Sequence, residues 1–243
     1  MKNKIYVVGM GPGTEEMMTP QAFHALEECD VIIGYTVYLK LLGEHFGEKE
    51  FLSTPMKQEI ERCRMCFEEA RKGKKVAMIC SGDAGVYGMA SLMYEMNREY
   101  PDCELCVIAG ITAANSGAAF LGAPLNHDYC VISLSDLLTP WELIEKRLRA
   151  AALGDFCISI YNPSSHKRAD YLSKACDILL EQLEENRACG YVENIGREST
   201  RSVTCTLKEL KEQKVNMFTT VFIGNSRTYI ENGKMITKRG YRI

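Results

Sequence analysis

This chain of 243 residues is short of several features, and each absence closes off a class of protein. It has no run of about 18 apolar residues, so no transmembrane helix is expected. Neither charge dominates. The 29 Lys and Arg residues face 32 Asp and Glu, without the basic excess of a non-specific nucleic-acid binder. The N-terminal MKNKIYVVGMGPG enters strand-like sequence and breaks at glycine, whereas a signal peptide has a longer apolar core and a small-residue cleavage site. The expectation is a cytosolic protein that binds neither membrane nor nucleic acid. Internal repeats and low-complexity linkers are also missing.

What is present is enough apolar sequence, 46%, to bury a substantial core. The eleven cysteines are odd in number and follow no secretion signal, which argues against a disulfide framework. Two CxxC pairs, Cys63/Cys66 and Cys103/Cys106, allow a zinc ribbon on spacing alone. Their settings favour the other reading. The first pair lies in EIERCRMCFEEARKG, an amphipathic helix, and Cys106 opens the apolar run CVIAG of a strand expected to be buried. Cysteine there serves as a small core hydrophobe, and no metal site is expected.

The first half alternates strands and helices. KIYVVGM, DVIIGY, KVAMICSG and ELCVIAG read as buried parallel strands, each ending at or near glycine. Thr19-Pro20 opens a helix as N-cap and first helical residue. Another helix ends near Gly73, and a third spans GVYGMASLMYEMNREY. This βαβα order predicts a mainly parallel sheet with helices on both faces. After the helix TAANSGAAFLG, the strands YCVISLSD, DFCISIYNP, ACGYVENIG and TTVFIGN are interleaved with the helices PWELIEKRLRAAALG and ADYLSKACDILLEQLEEN. Asn232-Gly233 marks a closing hairpin, which suggests a mixed sheet. The fold class is therefore α/β with two domains, 1–123 and 124–243.

Ligands of open α/β sheets bind beyond the carboxyl ends of the strands, and four loops there stand out. VVGMGPGTEE carries glycines at 9, 11 and 13 but departs from a dinucleotide fingerprint. Its spacing is GxGxG, Pro12 interrupts it, the helix begins only at Thr19, and Asp30 precedes the second strand instead of following it. No GK[ST] of a P-loop is present. In CSGDAGVYG, Asp83 is open to two roles, helix N-cap or ligand contact. AGITAANSG sets Thr112 and Ala113 at a strand-to-helix turn. SIYNPSSHKR offers Tyr161 and Asn162 beside Lys167 and Arg168 at a turn marked by Asn-Pro.

Taken in order, GMGPG, SGDAGVYG, GITAA and the YNP turn resemble the cofactor segments of the tetrapyrrole methyltransferase family, across nearly the whole chain. GAPLNHDYCVISLSDLLTPW, YNPSSHKR, NIGRE and FIGNSRT narrow the resemblance to the branch that methylates C-17 of precorrin-3B or cobalt-factor III in cobalamin synthesis. Ser199 stands where relatives usually carry glycine after GRE. The resemblance implies a two-domain tetrapyrrole-methylase fold, usually a homodimer, with S-adenosylmethionine in a cleft between the domains. Carried over, cofactor contacts fall on Pro12, Gly82, Asp83, Val86, Thr112, Ala113, Tyr161 and Asn162, with Gly190, Tyr191, Thr219 and Thr220 as further positions.

For a polycarboxylate tetrapyrrole substrate, Arg168, Arg197, Arg201 and Arg227 all follow expected strand ends, and guanidinium groups clamp carboxylates through paired bonds. The resemblance also implies ring contraction, which requires proton movement. Histidine is the residue type suited to moving protons near neutral pH, which makes His127 a candidate acid or base, with Asp128, Ser133 and Asn225 as possible assistants. Three alternatives stay open: a methyltransferase acting at another tetrapyrrole position, a ribosomal RNA or diphthamide-precursor enzyme of the same fold, and a non-catalytic sensor of an adenosine ligand.

Overall fold

In the computed structural model, residues 3–242 are described, so the first two residues of the N-terminal stretch read above lie outside them. The chain divides into two compact units, one ending at Ala113 and the next beginning at Ala114.

In the first unit, β1 (Asn3–Gly9), β2 (Val31–Tyr35), β3 (Glu50–Thr54), β4 (Val76–Cys80) and β5 (Cys103–Ile108) form a five-stranded sheet in the order β3-β2-β4-β1-β5. Every pairing is parallel. The helices are α1 (Pro20–Glu27), the single turn α2 (Thr36–Leu39), α3 (Glu59–Arg71) and α4 (Ala90–Met96). Successive strand residues point to opposite faces, and both faces are buried. Ile5, Val7, Ile33 and Met78 pack with Cys63, Cys66 and Phe67 of α3 and Met93 of α4. Val8, Met10, Ile32 and Ile79 pack with Ala22 and Leu26 of α1 and with Phe46. Thr19 caps α1 as expected, its hydroxyl oxygen accepting the Ala22 N–H at 3.1 Å with Pro20 at the first helical position.

Three details differ from the sequence reading. β3 was not expected. β5 is an edge strand with Cys106 half-buried, not a buried one. The helix assigned from Gly85 starts only at Ala90. The CxxC thiols lie inside regular elements. Cys63 and Cys66 are core residues of α3, and Cys66 Sγ donates to the Arg62 carbonyl at 3.3 Å. Burial pushes the Cys63 thiol up to about 12. Cys103 and Cys106, three apart on β5, face opposite sides of the sheet.

The second unit holds α5 (Ala113–Leu121) apart from its first residue, the two-residue β6 (Gly122–Ala123), β7 (Tyr129–Ser133), α6 (Trp141–Leu153), β8 (Cys157–Tyr161), α7 (Tyr171–Leu180), β9 (Ala188–Glu193), β10 (Arg201–Thr206), α8 (Leu207–Lys211), β11 (Thr219–Ile223), β12 (Thr228–Glu231) and β13 (Lys234–Thr237). Its main sheet runs β10-β9-β11-β8-β7 and is mixed, with β7 and β8 parallel and the other pairs antiparallel.

One face of this sheet carries Ile132, Ile158, Ile160, Tyr191, Val221 and Ile223 beneath residues of α6, α7 and α8. The other face mixes the small or polar Ser159 and Gly190 with the apolar Val131 and Phe222. Ser159 lies opposite both Val131 and Phe222, and Phe222 lies opposite Gly190. α5 packs on that second face, where a Cβ on Gly117 would come within 2.8 Å of Phe222 Cζ. The division between units thus falls after the first residue of α5, whereas the boundary read from the sequence, near 123, falls behind that helix. The hairpin turns at Asn232 and Gly233, both at positive φ (50° and 70°), and joins β6 in a separate three-stranded sheet. No helix among the described residues is long and apolar enough to cross a membrane.

Candidate functional site

Parallel pairing of β4, β1 and β5 brings their carboxyl ends out side by side, and two glycines there, Gly9 and Gly110, have no room for a side chain. A Cβ on Gly9 would stand 2.6 Å from the Gly110 nitrogen and 2.8 Å from the Gly82 oxygen. One on Gly110 would collide with the backbone oxygens of Gly82 and Gly9. Gly11 and Gly82 exchange two backbone hydrogen bonds, at 3.0 and 2.7 Å, which bridges the first loop to the second. Pro12 is buried beside that bridge. Between it and α1 stands only a short 3-10 turn, Glu15–Met17. The first full helix therefore begins well past the glycines, and no helix N-terminus is offered to a pyrophosphate at 9–13.

Asp83 completes this arrangement. Its Oδ1 accepts the N–H groups of Gly85 (2.8 Å) and Val86 (3.1 Å), and its Oδ2 accepts the N–H of Gly110 (2.9 Å). The helix-cap role fails because α4 starts at Ala90 without a side-chain cap. The carboxylate instead closes a turn on itself and staples the second loop to the third. Val86 and Tyr87 are left exposed at the tip. Thr112 and Ala113 are half-buried where the third loop enters α5, and the Thr19 hydroxyl donates to the Ala109 carbonyl at 3.4 Å.

In the second unit, the carboxyl ends of β7, β8 and β9 share one edge of the sheet with the amino ends of β10 and β11. Tyr161 lies opposite Ser133, on the same face as Gly190 and Thr220. Its hydroxyl oxygen accepts the Ala114 N–H at 2.7 Å, which satisfies one of the free amides in the first turn of α5. Asn162 takes a left-handed conformation (φ 53°) and donates through Nδ2 to Ser133 Oγ at 2.9 Å. Tyr191 and Thr219 point to the opposite face. Tyr191 is buried, with its hydroxyl donating to Gln213 Oε1 at 3.1 Å, and Thr219 Oγ1 donates to Asn216 Oδ1 at 3.3 Å.

Three of the four arginines lie at this edge. Arg168 forms an ion pair with Asp136, and Asp136 also accepts the Tyr171 hydroxyl at 2.6 Å. The Tyr171 hydrogen bond first, and then the Arg168 charge, hold the Asp136 carboxyl below its ordinary range. Asp136 and Tyr171 carried no signal in the sequence, since neither sits in a glycine loop and their meeting is long-range. Arg197 lies over the Phe218 ring at 4.7 Å. Arg201 is exposed, 3.9 Å from Glu193. Ser199 has a place in this loop, its Oγ accepting Asn194 Nδ2 at 3.1 Å.

His127, Asp128, Asn225 and Arg227 lie at the opposite edge, before β7 and after β11. Five residues of strand separate Asp128 from Ser133, roughly 17 Å, so the four proton-moving candidates are not brought together. The His127 Nδ1 accepts the Asp128 N–H at 3.0 Å. Asn225 is buried, and its Oδ1 accepts the Arg227 N–H (3.0 Å) and the Thr228 hydroxyl (3.2 Å).

The family pattern of the tetrapyrrole (corrin/porphyrin) methylases matches residues 4–211. A Salmonella typhimurium protein named probable cobalt-factor III C(17)-methyltransferase is 44% identical over 98% of this chain and 99% of its own length. A Sinorhizobium protein named precorrin-3B C(17)-methyltransferase is 36% identical over 95% of this chain and 92% of its own. The crystal structure of the methyltransferase CobJ superposes with a TM-score of 0.88 at 34% identity, covering 96% of this chain and 99% of that one.

Proposed function

This chain belongs to the tetrapyrrole (corrin/porphyrin) methylase family, and from that premise we propose that it methylates C-17 of a cobalamin precursor, cobalt-factor III or precorrin-3B. The observation that carries the reading is the 44% identity, over 98% of this chain, to a protein named for that reaction. The relatives' names divide between the cobalt-containing and the metal-free substrate. The higher identity favours cobalt-factor III. The same reading makes the protein a cytosolic homodimer.

S-adenosylmethionine would supply an electrophilic methyl group. The residues present fit it better than a dinucleotide. The Cβ positions of Gly9 and Gly110 are taken up by neighbouring backbone, whereas that of Gly82 is clear to 3.7 Å, so it is at Gly82 that a ligand can reach backbone directly, and no helix N-terminus stands there to neutralise a pyrophosphate. We assign the holding of the cofactor to Pro12, Gly82, Asp83, Val86, Thr112 and Ala113 in the first unit. The family resemblance adds Tyr161, Asn162, Gly190 and Thr220 as further cofactor positions.

Methyl transfer from a sulfonium needs alignment and exclusion of water, and most of the gain is positional. A bare carboxylate beside a sulfonium would stabilise the ground state, because that charge is lost at the transition state. Asp83 avoids this by spreading its charge over three backbone N–H groups, leaving one lone-pair site on Oδ2 for a polar group of the ligand. Arg197 and Arg201 are assigned to substrate carboxylates, and Arg168 to holding its own loop in place. Of the proton-moving candidates for ring contraction, we retain Ser133, which shares the edge of Tyr161 and Asn162, and give no part to His127, Asp128 or Asn225.

The test is anaerobic incubation with S-adenosylmethionine and either cobalt-factor III or precorrin-3B, for the wild type and His127→Ala. Both proteins should release S-adenosylhomocysteine and yield the same methylated, contracted product. No methylated product from either substrate would overturn the reading. Loss of contraction in His127→Ala alone would return that histidine to the mechanism.

A further inference from the structure

The loop between β7 and α6 ends in two bare leucines on a fixed base. Leu138 is 98% exposed and Leu137 57% exposed. The base is held on both sides. The Leu134 N–H donates to the Tyr161 carbonyl at 2.9 Å, and the Ser135 N–H to Ser133 Oγ at 3.2 Å. Asp136 is gripped by Arg168 and Tyr171, and the Trp141 and Tyr171 rings lie 4.6 Å apart just beyond. Single exposed leucines are ordinary. Here two in sequence follow directly on Leu134, Ser135 and Asp136, which are anchored by an ion pair and three hydrogen bonds, and they form an exposed apolar tip on a held loop.

The tip also stands at the edge that carries Ser133, Tyr161 and Asn162. At the far end of that edge, four strand spacings or about 19 Å away, is the exposed Arg201. An apolar contact at one end and a guanidinium at the other complement a broad apolar disc with carboxylates on its rim. We infer that Leu138, with Leu137, covers the face of the tetrapyrrole macrocycle and sets affinity for substrate, while Asp136, Arg168 and Tyr171 act as positioning residues that hold the tip in place. This rests on the methyltransferase reading above.

The test compares Leu138→Asp and Leu138→Met with Leu153→Asp. Leu153 is also highly exposed, at 81%, but ends α6 at the opposite edge of the sheet. Leu138→Asp should raise KM for the tetrapyrrole about tenfold or more. Its kcat, melting temperature and S-adenosylhomocysteine Kd should not move. Leu138→Met should stay within about twofold of wild type, as should Leu153→Asp. Wild-type turnover with an unchanged KM in Leu138→Asp overturns this inference alone. So does a change in sedimentation on Leu138→Asp, which would make the tip an interface between copies. Absence of any wild-type turnover overturns the methyltransferase reading, and this inference with it.

Discussion

The strand-end loops of the first unit are built from backbone, and those of the second from side chains. Gly9, Gly82 and Gly110 approach one another through main-chain atoms, and the Asp83 carboxylate ties the second loop to the third through the Gly110 N–H. In the second unit the corresponding loops are held by Asp136, Arg168 and Tyr171, by Ser133 with Asn162, and by Asn194 with Ser199. A backbone-built site is rigid and intolerant, because every added atom meets something that cannot rotate away. One built from side chains can be retuned residue by residue. A constant cofactor suits the first construction and a specific substrate the second.

The largest effect that could break this comparison is at Gly110. Gly110→Ala drives a Cβ into two backbone oxygens, and overpacking of this kind costs about 3 kcal/mol or more when nothing can shift. Calorimetry should show no binding of S-adenosylhomocysteine, and the melting temperature should fall. Near-normal binding would mean that the loops are softer than their contacts imply.

A smaller loss is expected from Asp83→Asn. The amide keeps one acceptor oxygen but turns an NH2 group toward an N–H donor, at either Gly110 or Gly85 and Val86. Hydrogen bonds to charged groups contribute about 1.5–3 kcal/mol, so S-adenosylhomocysteine affinity should drop at least tenfold by titration. Substrate KM should change less.

Asp136→Asn should have the smallest effect, costing about 1 kcal/mol at neutral pH. Its pH dependence has a definite sign. The folded carboxyl is held below its ordinary range by Tyr171 and Arg168, so its stabilisation is fully present above the unfolded carboxylate pKa and is lost as pH falls through the folded value. Denaturant titrations of wild type and variant should differ at neutral pH and converge in acid. A constant gap at all pH values would show that the cluster does not act through charge.

The same contrast decides what was legible in the sequence. Glycine at 9, 82 and 110 announced the first unit's loops, because a residue type tied to backbone geometry is visible without its partners. Asp136 and Tyr171 gave no such sign. Their meeting with Arg168 depends on β7 and β8 lying side by side in parallel, a fact of topology. The four proton-moving candidates were plausible as residue types, yet β7 carries Ser133 to one edge and Asp128 to the other.

Among the strands, β3 and β10 escaped notice because both are edge strands with polar residues where a buried strand would show an apolar run. β5 was misjudged in the opposite direction, with Cys106 half-buried and Val107 exposed at the sheet's other edge. The mixed sheet expected from the Asn232-Gly233 hairpin is found in the small sheet, where β12–β13 is antiparallel and β13–β6 parallel. The main sheet is mixed as well, through the parallel β7–β8 pair.

The cysteines have a consequence beyond packing. Nine of the eleven are buried, in both units, and burial pushes the thiols of Cys29, Cys63, Cys176 and Cys205 up to about 12. Thiolate is the reactive form, so at neutral pH the folded chain keeps these sulfurs chemically silent. Opening either core restores an ordinary pKa and access to reagent together. The chain therefore carries its own clock for unfolding. Alkylation of each cysteine records how often the core around it opens, and the two units can be timed separately in one molecule.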